Sequence, residues 1–225
     1  MKRWVVAIVS SLMLLSASPA GGWSNGVNGC NSFGTHDWIL KKAIRAAGEK
    51  ASWVRVRVAL RATDDPDCVD GIDHASGSWW HVYDEWGETY GDAPEAAEVW
   101  FERMSNRLQA GNERGASRAL GILAHIVGDV AQPMHTDSRP REERVHGPYE
   151  SAVDRRVSDY RFTYDGRDGA NPRARSLRVA RVAHNYYFEL VRAYDNHSYN
   201  AKVHRITKRQ LNRAGNAMAD LLTSL

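Results

Sequence analysis

Residues 119–135 read Ala119-Leu120-Gly121-Ile122-Leu123-Ala124-His125-Ile126-Val127-Gly128-Asp129-Val130-Ala131-Gln132-Pro133-Met134-His135. Ala119, Leu120, Leu123, Ile126 and Val127 recur at helical spacing, which predicts a helix from about Glu113 to Val130. Pro133 closes it, because proline has no N–H for the hydrogen-bond ladder. Inside this apolar run stand His125 and Asp129, an i, i+4 pair on one face, roughly 6 Å apart along the axis. An imidazole and a carboxylate so placed can reach one metal ion, since zinc takes N and O donors at about 2.0–2.2 Å. The bland alternative is a polar pair bonded to a neighbour. Asp129 lies between Val127 and Val130, where burying a carboxylate is costly without a cation or hydrogen bonds. His135 follows the break as a further candidate ligand.

Working outward, His146 and Glu150 repeat the i, i+4 spacing, and a shorter helix carries Val153 and Val157. Gly147-Pro148 predicts that this helix begins at Pro148, since a residue before proline is pushed from the α region. Upstream, Thr35 or Asp37 caps a helix with Ile39, Leu40, Ala43 and Ile44 that ends near Gly48. The segment 53–62 alternates at first but reads as helix overall. Residues 63–92, rich in Asp, Gly and Trp, read as a long loop of the kind that is usually functional. Asp92 caps the next helix, with Trp100, Met104 and Leu108 on its apolar face and Gly111 at its end. After a polar loop over 161–175 come helices over about Ser176–Tyr194 and Ile206–Leu222. The fold class is all-α, in a single domain.

The 225 residues are 43% hydrophobic and 25% charged, ordinary globular values. No apolar run reaches the about eighteen residues of a membrane span. Lys2 and Arg3 precede an apolar stretch from Trp4 to Leu15, followed by small residues to Gly22, which is the pattern of a secretory signal peptide. Cleavage after Ala20 and cleavage after Gly22 fit the small-residue rule equally. The second gives a signal over 1–22 and a domain over 23–225. It removes two of the 30 basic residues and none of the 27 acidic ones, so the net charge falls from +3 to +1. That balance offers no electrostatic argument for nucleic acid or an anionic membrane. In an oxidising compartment Cys30 and Cys68 are expected to form one disulfide, contributing roughly 3–4 kcal/mol in the chain-entropy model. Buried thiols or metal ligands are the alternatives, though no C-x-x-C is present. His36 stands near the first helix start. The long loop carries His74, His81, Asp64, Asp65, Asp67, Asp70 and Asp73.

These clusters resemble the zinc-dependent phospholipase C family, which shares one trinuclear-zinc fold with the P1-type single-strand nucleases. Residues 119–135 resemble its central motif, and Val145-His146-Gly147-Pro148-Tyr149-Glu150 resembles its downstream H-x-x-x-E motif. The segment from His81 to Tyr90 resembles its HFYDP-type segment. Trp23 with His36 resembles its mature start. The resemblance implies three Zn2+ ions. Asp67, His81, His125 and Asp129 would hold one. Asp129 would bridge to a second, completed by His36 and by the α-amino nitrogen and carbonyl oxygen of Trp23. His135, His146 and Glu150 would hold the third. It also chooses cleavage before Trp23, because only that cut frees the amine. Asp64, Asp65 and Asp67 compete for the acidic position; Asp67 matches best, and the resemblance gives it a catalytic role toward the attacking water.

The implied activity is that of a secreted or periplasmic phosphodiesterase, a hydrolase cutting phospholipids at the glycerol–phosphate bond. It would act as a monomer at a peripheral membrane surface. Glu150, and the thirteen-residue step from Trp23 to His36, favour this branch over the nuclease branch. Trp79, Trp80 and Tyr83 could wall a quaternary ammonium, stack a base, or serve as core. A nuclease or nucleotidase on single-stranded nucleic acid is the alternative enzyme. A non-catalytic exported zinc-binding protein is the alternative outside catalysis.

Overall fold

In the computed structural model the described residues are Trp23, 30–69, Tyr83, 91–137, 144–166 and 171–225. The predicted signal segment over 1–22 lies outside them, as do His74, Trp79, Trp80 and His81. The described chain is helical, with no strand. It comprises α1 (Thr35–Ala47), α2 (Val56–Arg61), α3 (Asp65–Cys68), α4 (Ala93–Gln109), α5 (Glu113–Asp129), α6 (His146–Asp154), α7 (Pro172–His184), α8 (Tyr187–Tyr194) and α9 (Ala201–Thr223). None of these helices is long and apolar enough to cross a membrane.

α5 is the axis. Asn112 caps it through a side-chain oxygen that accepts from Gly115 N–H. Its first turns keep a polar face, but every residue from Ala119 to Asp129 is buried, with α4, α2 and α1 packed around it. Two glycines permit the close approaches. A Cβ on Gly121 would lie 2.2 Å from the Ala59 carbonyl oxygen of α2. A Cβ on Gly128 would lie 2.8 Å from His36 Nδ1 of α1. Gly121→Ala is therefore expected to force α2 outward and cost about 1–3 kcal/mol, read as a lowered denaturation midpoint. An unchanged midpoint would mean that α2 docks loosely.

Several expectations are corrected. Neither Thr35 nor Asp37 is the N-cap of α1. Gly34 holds that position, and Asp37 reaches back to accept its N–H at 2.9 Å. The loop predicted over 63–92 contains the short helix α3. α6 starts at His146, not Pro148. Proline in the first turn has no helical partner to lose, and Gly147 before it has no Cβ to clash with the ring. α5 ends at Asp129, ahead of Pro133, which instead opens a 3-10 turn over Pro133–Thr136. The helix expected over Ser176–Tyr194 begins at Pro172, capped by Asn171, and is split at Asn185-Tyr186 into α7 and α8. Cys30 and Cys68 are disulfide-bonded, tying the segment before α1 to the end of α3.

Candidate metal centre

Asp129 sits fully buried at the last position of α5. Its Oδ1 accepts from the Trp23 backbone N–H at 3.1 Å and lies 3.1 Å from His36 Nε2. Its Oδ2 lies 3.0 Å from His125 Nε2 and 3.9 Å from His135 Nδ1. Groups from Trp23, α1, α5 and the 3-10 turn thus converge on one carboxylate.

Each is fixed by ordinary structure. Trp23 is wholly buried, its indole against the Tyr149 ring of α6 with centroids 5.7 Å apart. His36 lies one residue into α1, and its ring stacks on His125 at 4.1 Å. The start of α1 is pinned by Asp154 at the far end of α6, which accepts from the Thr35 N–H at 2.9 Å and from its hydroxyl. His125 Nδ1 is 2.7 Å from the Thr63 carbonyl oxygen. A carbonyl only accepts, so Nδ1 carries a proton and Nε2 faces Asp129. Burial by itself pulls the His125 ring down. Asp129, Asp67 and the Thr63 carbonyl outweigh that and push it up to about 10. Burial opposes ionisation of Asp129, but His125, His36 and His135 hold it well below the usual carboxylate range. Positive charge is what this pocket stabilises.

The three competing aspartates separate cleanly. Asp64 accepts from the Asn31 N–H, and Asp65 pairs with Arg118 at 2.7 Å. Asp67 Oδ1 is the one beside the cluster, 3.5 Å from His125 Nε2, and its side chain keeps partial access to solvent.

A second set adjoins the first. His135 Nε2 is 3.1 Å from His146 Nε2 and 3.7 Å from Glu150 Oε1, and His146 Nε2 is 2.6 Å from Glu150 Oε1. All three residues are buried. Burial pulls His146 down to about 4, and burial also pushes Glu150 up to about 8, disfavouring the ionised carboxylate. A divalent cation would invert that. The sequence reading overlooked Gln132. Its Oε1 accepts from Met134 N–H, which turns its Nε2 toward His146 at 2.9 Å and Glu150 at 3.1 Å. In the sequence it is a lone amide in a largely apolar motif; the fold buries it fully, which calls for such partners.

The donor sets fit zinc. Two donors at about 2.1 Å in a tetrahedral site lie about 3.4 Å apart. The observed separations run from 2.6 to 3.7 Å in the second set; in the first, His125 lies 3.0 Å from Asp129 and 3.5 Å from Asp67, and His36 lies 3.1 Å from Asp129. Among the described residues, two groups bring their donor atoms within 4.8 Å of one another: His36 with His125 and Asp129, and His135 with His146 and Glu150. Tyr83, the described member of the aromatic wall, packs half-buried on the core, and its N–H donates to the His135 carbonyl at 3.0 Å. His184 is a partly buried polar residue whose Nδ1 lies 2.9 Å from the Thr136 carbonyl oxygen. Gly128→Ala is expected to displace the His36 ring and lower bound zinc, measured by elemental analysis of purified protein. Full zinc content in that variant would show that the ring position is dispensable.

Fold and site together define an all-α protein with a buried cluster of zinc-type donors. The fold is that of the zinc-dependent phospholipase C family, and the chain's similarities to known proteins lie there. It is 25% identical to a phospholipase C of Bacillus cereus, over 76% of this chain and 74% of that one. Among solved structures, an alpha toxin from Clostridium absonum superposes with a TM-score of 0.68 at 16% identity, covering 84% of this chain and 62% of the toxin. The Clostridium perfringens alpha-toxin gives 0.65 at 14% identity, covering 90% and 64%. The chain thus spans less than two thirds of the length of these toxins. No family model matches the chain.

Proposed function

We propose that this chain is a secreted zinc-dependent phosphodiesterase that hydrolyses phospholipids at the glycerol–phosphate bond. The observation that carries the reading is the convergence of Trp23, His36 and His125 on the two oxygens of buried Asp129, beside the His135–His146–Glu150 set. Three ions are assigned. Asp67, His125 and Asp129 would hold one, joined by His81. Trp23, His36 and Asp129 would hold the second. His135, His146 and Glu150 would hold the third. Zinc, when bound, lowers the pKa of a coordinated water to about 7 and opposes charge on the phosphoryl oxygens.

The chain's own residues have defined tasks. Asp67, beside His125 yet partly open to solvent, is assigned to take the proton of the water that attacks phosphorus. The new bond is water oxygen to phosphorus. The bond that breaks is phosphorus to glycerol oxygen, which leaves with a proton. Thr63 keeps His125 in the tautomer that aims Nε2 at Asp129. Gln132 positions Glu150 by donating to its Oε1. Residues 1–22 are assigned as a signal removed before Trp23, a reading supported by the buried Trp23 nitrogen at Asp129. The disulfide suits export.

Protein beginning at Trp23 tests the proposal, assayed side by side on phosphatidylcholine and single-stranded DNA, with and without a zinc chelator. Release of phosphorylated headgroup that stops on chelation is expected. DNA cleavage alone would move the chain to the nuclease branch. Bound zinc with neither activity would overturn the enzymatic reading.

A further inference from the structure

A second concentration of charge lies away from the metal-type donors, in a cleft of about 750 Å³ between α7 and α9. α7 contributes Arg175 and Arg178, three residues apart, and α9 contributes Arg209 and Arg213, four apart. Both spacings put the paired side chains on one helix face. Among the described residues lining the cleft, Asp165 is the acidic one. Arg175 pairs with Asp220, which is buried behind it.

The α9 pair differs. Arg209 Nη1 donates to the Tyr186 hydroxyl at 3.4 Å, and Arg213 Nη1 donates to the Gln210 side-chain oxygen at 2.6 Å. Both acceptors are neutral. Arg213 is half-buried, and burial, joined by repulsion from Arg175, Arg209 and Arg178, pulls its guanidinium below the ordinary value. Two guanidiniums, Arg209 and Arg213, held close together on neutral acceptors make a setting suited to a phosphate group, which accepts their planar forks two bonds at a time. Tyr186 and the Asn216 side chain on the wall add neutral polar groups.

We propose that the α7–α9 cleft is a second, metal-independent binding site for a phosphate-bearing anion, held by Arg178, Arg209 and Arg213. The phosphate could be carried by a soluble ester or by an anionic lipid headgroup.

Zinc-loaded protein beginning at Trp23 is titrated calorimetrically with inorganic phosphate, and is also sedimented with vesicles of digalactosyl lipid with and without phosphatidic acid. The phosphate-free matrix keeps the comparison independent of phosphodiester cleavage. The same is done with R209Q/R213Q and with R178E, whose position is exposed. Zinc content and thermal midpoint verify folding in each. Loss of the cleft contacts is expected to weaken binding by about tenfold or more in both variants. Loss in the phosphate titration identifies a soluble ester as sufficient. Loss only with phosphatidic acid vesicles identifies the lipid headgroup. Wild-type protein that binds neither probe, or variants that bind both as well as wild type does, would overturn the proposal.

Discussion

Replacing Asp129 with asparagine is expected to strip at least two zinc ions from the chain and to abolish phosphodiesterase activity. The reason is geometric. Both oxygens are used, one toward Trp23 and His36 and the other toward His125. An amide offers one oxygen, and it puts N–H hydrogens where the other oxygen met an imidazole. Even partners outside a metal's direct ligands typically cost 10–100-fold when lost, so more than about 100-fold is expected for a shared ligand. Stability should fall too. Removing one member of a buried charged set costs about 3–5 kcal/mol, because the remaining groups lose their compensation. Elemental analysis and a denaturant midpoint on the same preparation separate the two effects. Retention of all zinc by D129N would rule out the bridging role.

A chain that keeps Gly22 ahead of Trp23 is expected to lose one zinc ion and about 100-fold in activity. A peptide N–H can donate to Asp129 Oδ1, as it does here, but it has no lone pair to offer a metal. A free α-amine has one once it loses its proton, with an ordinary pKa of about 7.7–8.0. Loading of this pocket should then rise with pH across that range in the Trp23 form and stay flat in the Gly22 form. The Trp23 and Gly22 forms differ by one small residue, and the Trp23 ring packs on Tyr149 through its side chain, so a general folding defect is not the expected cause. Equal zinc content in both forms would place the cleavage argument in error.

The centre was partly legible in the sequence for a definite reason. An α-helix sets i, i+4 neighbours by its own pitch, so His125 with Asp129 could be paired without any tertiary information, whereas His146 with Glu150 had only the spacing. The start of α6 was misjudged because the rule for residues before proline assumes a Cβ, and Gly147 lacks one. Gln132 went unnoticed because a single amide has no period or spacing to mark it.

What the sequence determined by itself was therefore local and compositional: an all-α chain, a central helix with two polar residues on a buried face, and a single pair of cysteines suited to bonding. Tertiary structure decided which distant groups meet. It turned Asp64 to Asn31 and Asp65 to Arg118 and set Asp67 beside His125. It brought Trp23 to Asp129 across 106 positions of chain and pinned α1 to Asp154 across 119. It also gathered the arginines of α7 and α9 into one cleft. Such meetings follow from how whole helices pack, with Gly121 and Gly128 setting how near α2 and α1 may come to α5. No local rule of spacing carries that information.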